Sequence, residues 1–122
     1  MELIEIKNID EWEELKKETV EKKELIIFKY SPICGISSSV EDDFNSWYQN
    51  IDENIKIKCA KVDVISARPL SRQIAKELKI EHQSPQLIWL DKKTKVKWSA
   101  SHYDINKSQL TAQLNGEGKY TI

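Results

Sequence analysis

The sequence predicts an α/β domain with three layers, a central mixed β-sheet flanked by helices, and three observations predict it. Short apolar runs of strand length alternate with stretches of helical periodicity, which is the pattern of strand-helix-strand crossovers. One run, Leu25-Ile26-Ile27-Phe28, is apolar without interruption, as expected of a strand covered on both faces. The last two runs are separated only by a turn, which makes one edge of the sheet antiparallel. At 122 residues the chain reads as a single domain, 1–122, long enough to enclose a core without metal or disulfide staples.

The elements follow in order. Leu3 to Ile6 is a short strand, and Asn8 to Glu21 a helix with Ile9, Trp12, Leu15 and Val20 on one face. Asn8 with Glu11, or Asp10 with Glu13, can cap it. Leu25 to Phe28 is the central strand, broken by Ser31-Pro32. From Ile36 onward, Val40, Phe44, Trp47 and Ile51 recur at helical spacing for about four turns. Ile55 to Val64 alternates through Ile55, Ile57 and Cys59, then shifts to Val62 and Val64, which predicts a strand with an irregularity near Ala60. Pro69 suits the first turn of a helix whose stripe is Leu70, Ile74, Ala75 and Leu78.

Gln86 to Leu90 and Lys95 to Ser99 form a hairpin about Asp91-Lys92-Lys93-Thr94. Asn106 with Gln109 forms a capping box and Ile105 with Leu110 a staple, opening a last helix that Gly116-Glu117-Gly118 ends. Lys119 to Ile122 is a tail that frays. The order is βαβαβαββα, which is that of a thioredoxin-like sheet, although other small α/β folds share it.

Composition excludes several functions. Lys+Arg 19 against Asp+Glu 20 leaves no basic excess for nucleic acid. The longest apolar run is far short of the roughly 20 residues that span a bilayer, and the N-terminus lacks the basic start of a signal peptide. A cytoplasmic protein that engages neither membrane nor nucleic acid is expected. Three glycines, Gly35, Gly116 and Gly118, cannot build a nucleotide-binding loop. Cys34 and Cys59 are too few for a disulfide framework and form no zinc-like pair, and no histidine stands at ligand spacing from them, so no bound metal is expected. Any role they have is as thiols.

Cys34 stands in Ser31-Pro32-Ile33-Cys34-Gly35-Ile36-Ser37, between a central strand and the helix after it. Free backbone N–H groups and the positive end of a helix dipole stabilise a thiolate there, with Gly35 and Ser37 nearest. Ser37 occupies the place, one turn on, where a dithiol oxidoreductase carries its second cysteine. A hydroxyl can hydrogen-bond a thiolate but cannot resolve a mixed disulfide, so the site is monothiol. Alone, Cys-x-x-Ser is weak, since a small apolar filler at a helix start looks the same. Ser84-Pro85 before the fourth strand strengthens it: in a thioredoxin-like fold that proline is cis, lies against the reactive cysteine and offers strand-like backbone to a thiol substrate. Without Cys34 it reads as an ordinary proline at a strand start.

At these residues the sequence resembles the YtxJ family of monothiol bacilliredoxins of the bacillithiol system. The resemblance runs through Phe28-Lys29-Tyr30-Ser31, Cys34-Gly35-Ile36-Ser37, Lys61-Val62-Asp63-Val64, Arg68-Pro69-Leu70-Ser71, His82-Gln83-Ser84-Pro85-Gln86 and Ser101-His102-Tyr103-Asp104-Ile105. It covers most of the chain in order. The family usually reads Thr-Cys-Pro-Ile-Ser at its site, so Ile33 and Gly35 depart from it. Gly35 instead resembles the Cys-Gly-Phe-Ser of glutathione-dependent monothiol glutaredoxins, which can hold an iron–sulfur cluster, but their Gly-Gly-Cys-Asp element is missing.

The resemblance implies thiol-disulfide exchange that removes bacillithiol from protein mixed disulfides, with Cys34 as nucleophile. Bacillithiol enters as co-substrate with no cofactor bound, and the partners are bacillithiolated or otherwise oxidised cytosolic proteins. Gly35 and Ser37 then hold the thiolate, and Ser84 and Pro85 position the disulfide. The alternatives are a monothiol glutaredoxin and a non-catalytic thioredoxin-like binding module. His82 and His102 follow the family pattern and can line the bacillithiol pocket or meet its carboxylates, though scattered histidines more often make local hydrogen bonds. Lys29 can add positive charge near the thiolate, but reads first as a solvated surface lysine. Cys59 is five residues before Val64, roughly 15 Å at strand rise, too far to resolve Cys34, and reads as core. Trp12, Trp47, Trp89 and Trp98 fall on apolar stripes or strands and read as packing.

Overall fold

A computed structural model describes residues 3–115. The strands are β1 (Leu3–Glu5), β2 (Glu24–Tyr30), β3 (Ile57–Asp63), β4 (Gln86–Leu90) and β5 (Val96–Ser101). The helices are α1 (Ile9–Thr19), α2 (Gly35–Asn50), α3 (Arg68–Leu78) and α4 (Lys107–Leu114), with a 3-10 turn at His102–Asp104. The element order is the expected one.

The uninterrupted apolar strand, β2, is the centre of a sheet ordered β1-β3-β2-β4-β5. β1 and β2 both run parallel to β3, whereas β4 is antiparallel to β2 and to β5. Residues alternate between faces. Leu25 and Ile27 meet Trp12 and Leu15 of α1 with Leu70 and Ile74 of α3. Ile26 and Phe28 meet Val40, Phe44, Trp47 and Tyr48 of α2 with Leu110 of α4. Phe28 and Phe44 stack with ring centroids 4.8 Å apart. Each such large side chain contributes about 1.5–3 kcal/mol by leaving water.

Local chemistry sets the element ends. Asn8 accepts from the Glu11 amide at 2.9 Å, and Glu11 reaches back to the Lys7 amide at 2.7 Å. Asn106 accepts from the Gln109 amide at 3.0 Å, and Ile105 and Leu110 are both buried. The Asp91 carboxylate closes the hairpin turn by accepting from the Lys93 and Lys95 amides. α4 ends at Leu114; the glycines expected to stop it and the Lys119 to Ile122 tail lie outside the described residues.

Three expectations need correction. β3 is regular at Ala60 and pairs with β2 without a break. Its apolar pattern shifts because it is buried in halves, Ile57 and Cys59 on the α2 face and Ala60 and Val62 on the α1/α3 face. The sheet's irregularity falls instead between Trp89 and Leu90, opposite β5. α1 stops at Thr19, whose buried hydroxyl donates to the Leu15 carbonyl at 3.0 Å, and leaves Ile9 and Val20 exposed. Lys29, finally, is fully buried.

Candidate active site

The carboxyl ends of the parallel strands and the start of β4 meet at one end of the sheet. Cys34 is the N-cap of α2, in extended backbone, with its side chain part exposed. Its amide donates to the Ser31 carbonyl at 3.3 Å and its carbonyl accepts from Ser38 at 3.2 Å, so the helix opens directly after the thiol. The N–H groups of Gly35 and Ile36 stand in the first turn beside it, where they favour negative charge. A Cβ added at Gly35 would meet nothing within 4 Å outside its chain neighbours, so the space at this position is open.

Ser37, one turn on, is fully buried, and its Oγ accepts from the Ser31 amide at 3.0 Å. That bond ties the loop to the helix and leaves the hydroxyl proton free to be donated. Ser84-Pro85 is a cis peptide. β4 begins at Gln86, opposite Lys29, which puts Pro85 at the carboxyl end of β2. The Ser84 hydroxyl is buried with no hydrogen-bond partner among the described residues. The Pro85 carbonyl accepts from His102 at 3.0 Å, and His102 is held in left-handed backbone at φ 54. The turn that follows packs against α2. Ile33, Ile36, Ile65 and Tyr103, large apolar side chains left exposed, all belong to loops and helix starts at this end.

Lys29 shares the face of Leu25 and Ile27, so it points toward α3 and away from the side on which α2 lies. Its Nζ donates to the Ser71 carbonyl at 2.9 Å, and burial pushes its pKa from 10.5 down to about 8. His82 Nδ1 lies 3.3 Å from the Ser71 hydroxyl. Burial, then Lys29, Arg72 and Arg68, hold His82 below the usual imidazole range, so it is neutral at neutral pH. The sequence pattern missed the burial of Lys29, although Leu25, Ile27 and Lys29 share one parity in the strand. Arg68 and Arg72 were also overlooked as side chains of this end; their spacing of four residues on α3 was the available signal.

Cys59 lies elsewhere. It pairs with Ile26 and Leu3 in the middle of the sheet, fully buried, and burial pushes its thiol pKa well up. Trp12, Trp47 and Trp89 are core, and Trp98 packs partly buried against the α2-side cluster. No group of three or more His, Cys, Asp or Glu among the described residues is placed to hold a metal. No described helix is long and apolar enough to cross a membrane.

A family model described as monothiol bacilliredoxin BrxC matches residues 4–110. Among solved structures, a candidate oxidoreductase with a thioredoxin fold is 31% identical, with a TM-score of 0.76 over 93% of this chain and 93% of that one. The thioredoxin of Fasciola hepatica is 14% identical, with a TM-score of 0.73 over 93% of this chain and 97% of its own. The reduced Schistosoma mansoni thioredoxin pre-protein is 20% identical, with a TM-score of 0.71 over 95% and 98%. These two share the fold, which is the thioredoxin fold.

Proposed function

The chain belongs to the monothiol bacilliredoxin family, a family of thiol-redox proteins, and from that premise we propose that it removes bacillithiol from protein mixed disulfides through Cys34. The observation that carries the reading is a part-exposed cysteine capping α2 with a buried serine, not a second cysteine, one turn on. The Cys34 thiolate attacks the bacillithiol sulfur of the mixed disulfide. A new Cys34–bacillithiol disulfide forms, the old sulfur–sulfur bond breaks, and the protein sulfur leaves as a thiolate that takes a proton from water. A second low-molecular-weight thiol then attacks the adduct, is itself oxidised to a disulfide with the bacillithiol, and returns Cys34 to its reduced form.

Gly35 and Ser37 act in this reading on the thiolate, the first by its backbone N–H at the start of α2 and the second by its hydroxyl. Ser84 and the backbone about Pro85 position the incoming disulfide, as an edge that an extended segment can pair with. Exposed Ile33, Ile36 and Tyr103 supply apolar contact to a protein partner. The protein needs no bound cofactor for these steps, and oxidised cytosolic proteins are the partners that the reading implies.

The test is intact mass of the reduced protein after brief exposure to oxidised bacillithiol or oxidised glutathione, beside Cys34→Ser, which retains Cys59. A single bacillithiol adduct forms in the wild type, faster than the glutathione adduct, and none forms in the variant. Faster reaction with glutathione moves the assignment to a glutaredoxin-like activity, and no reaction with either to a binding module.

A further inference from the structure

A cavity of about 280 Å³ opens beside the thiol's end of the sheet, lined by Val64, Ile65, Arg68, Ser71, Arg72 and His82. Its place follows from the topology. Val64 leaves β3 with its amide on the Tyr30 carbonyl at 3.0 Å, Arg68 opens α3, and His82 leads into Ser84-Pro85. The cavity therefore lies on the α3 side of β2, at the end of the sheet from which the loops carrying Cys34 and Pro85 leave. Neither Arg68 nor Arg72 is paired with a carboxylate among the described residues. Of the acids adjoining the lining residues, Asp63 accepts from the Ile65 and Ser66 amides at 2.9 Å and 3.1 Å, and Glu81, beside His82, is exposed. Beneath the wall, buried Lys29 reaches the Ser71 carbonyl, a third cation whose remaining donors have no partner described.

Two guanidiniums without a carboxylate partner among the described residues, with a buried ammonium behind Ser71 and a small apolar wall, make a site whose lining side chains include no acid. Resting on the exchange reading above, we propose that this cavity is the subsite for the carboxylates of the low-molecular-weight thiol, with Arg68 and Arg72 as its specificity-determining residues. His82 and Ser71 are hydrogen-bonding walls of the subsite, and its charge comes from the arginines and Lys29. The cavity's volume suits a small-molecule group rather than a docked helix or strand. Val64 and Ile65 give the cavity an apolar side, while Arg68, Arg72 and His82 are exposed and open to an incoming solute.

The test compares the rate at which Cys34 is modified by two disulfides, oxidised bacillithiol and uncharged 2-hydroxyethyl disulfide, in the wild type and in an Arg68→Ala/Arg72→Ala double variant. The ratio of the two rate constants falls about tenfold in the double variant, the size expected for lost charge-assisted contacts. It falls also in the wild type as salt is raised. Arg68→Lys/Arg72→Lys, which keeps the charge, retains most of the ratio. An unchanged ratio in the double variant, with the wild type still reactive, overturns the subsite and leaves the exchange reading standing. A double variant that keeps the ratio but is slower on a bacillithiolated protein assigns the cavity to the protein partner and also overturns it. A wild type inert to both disulfides overturns the exchange reading itself.

Discussion

The two ends of β2 follow opposite plans. At its amino end, the Glu24 carboxylate accepts from Trp89 Nε1 at 2.8 Å and from Lys97 Nζ at 3.0 Å. The Lys97 ammonium also lies 5.1 Å from the Trp89 ring. The buried Trp89 N–H there meets a charged acceptor. At the carboxyl end, Lys29 is buried against a single backbone carbonyl, and Ser84 Oγ and Gln86 Oε1 have no partner among the described residues. Arg68 and Arg72 pair with no carboxylate among the described residues, and His102 sits in left-handed backbone. Buried polar groups of folded proteins are nearly always paired; of the unpaired ones among the described residues, Ser84 Oγ and Gln86 Oε1 fall at this end, and Trp12 Nε1 and Asn45 Oδ1 lie on α1 and α2. In the function proposed above, the same strand is braced at one end and open to a ligand at the other.

The largest break in that comparison comes from Glu24→Ala. It leaves the buried Trp89 N–H without an acceptor and removes the partner of Lys97, and costs about 1–3 kcal/mol of stability. Exchange at Cys34 is untouched, because Glu24 lies at the far end of the strand. Urea denaturation beside an adduct-formation assay reads both; a slower exchange at full occupancy of the folded state would contradict the division between the ends.

Lys29→Met acts with the opposite sign. Replacing a buried ammonium by a side chain of similar length raises stability by about 1–2 kcal/mol near neutral pH, while the rate with oxidised bacillithiol falls. The pH dependence follows from the shift. Native Lys29 releases its proton at about 8, whereas the unfolded chain holds it to 10.5. Between those values the unfolded state binds more protons, so wild-type stability relative to the variant rises with pH across that window and is flat below it. A difference that falls with pH, or stays flat, would show that Lys29 is not buried as a cation.

Cys59→Ala has the smallest effect, about 1 kcal/mol for a small cavity in the core, with no change in exchange. Burial keeps the native thiol protonated above 9.0, where the unfolded thiol ionises. Its contribution is therefore full below that pH and declines above it in the wild type, and the decline is absent from the variant. Loss of turnover in Cys59→Ala would instead make Cys59 a redox partner of Cys34.

The sequence by itself determined the element order, the central place of the uninterrupted Leu25 to Phe28 run, both asparagine caps and the cysteine that opens α2. Each of these depends on neighbours within a few residues, through periodicity, capping geometry or the helix terminus, and such signals are written locally. Only the tertiary structure decided the rest. The shift in β3 at Ala60 is two half-buried faces rather than a bulge, because burial depends on which helix lies over each half of a strand. Lys29 is buried because α3 and β4 cover the end of β2; its parity with Leu25 and Ile27 gives its face, but not that the face is covered so far along the strand. Arg68, Arg72 and His82 come from one stretch, α3 and the loop after it, and the tertiary structure adds the buried Lys29 of β2, which reaches the Ser71 carbonyl from across the sheet.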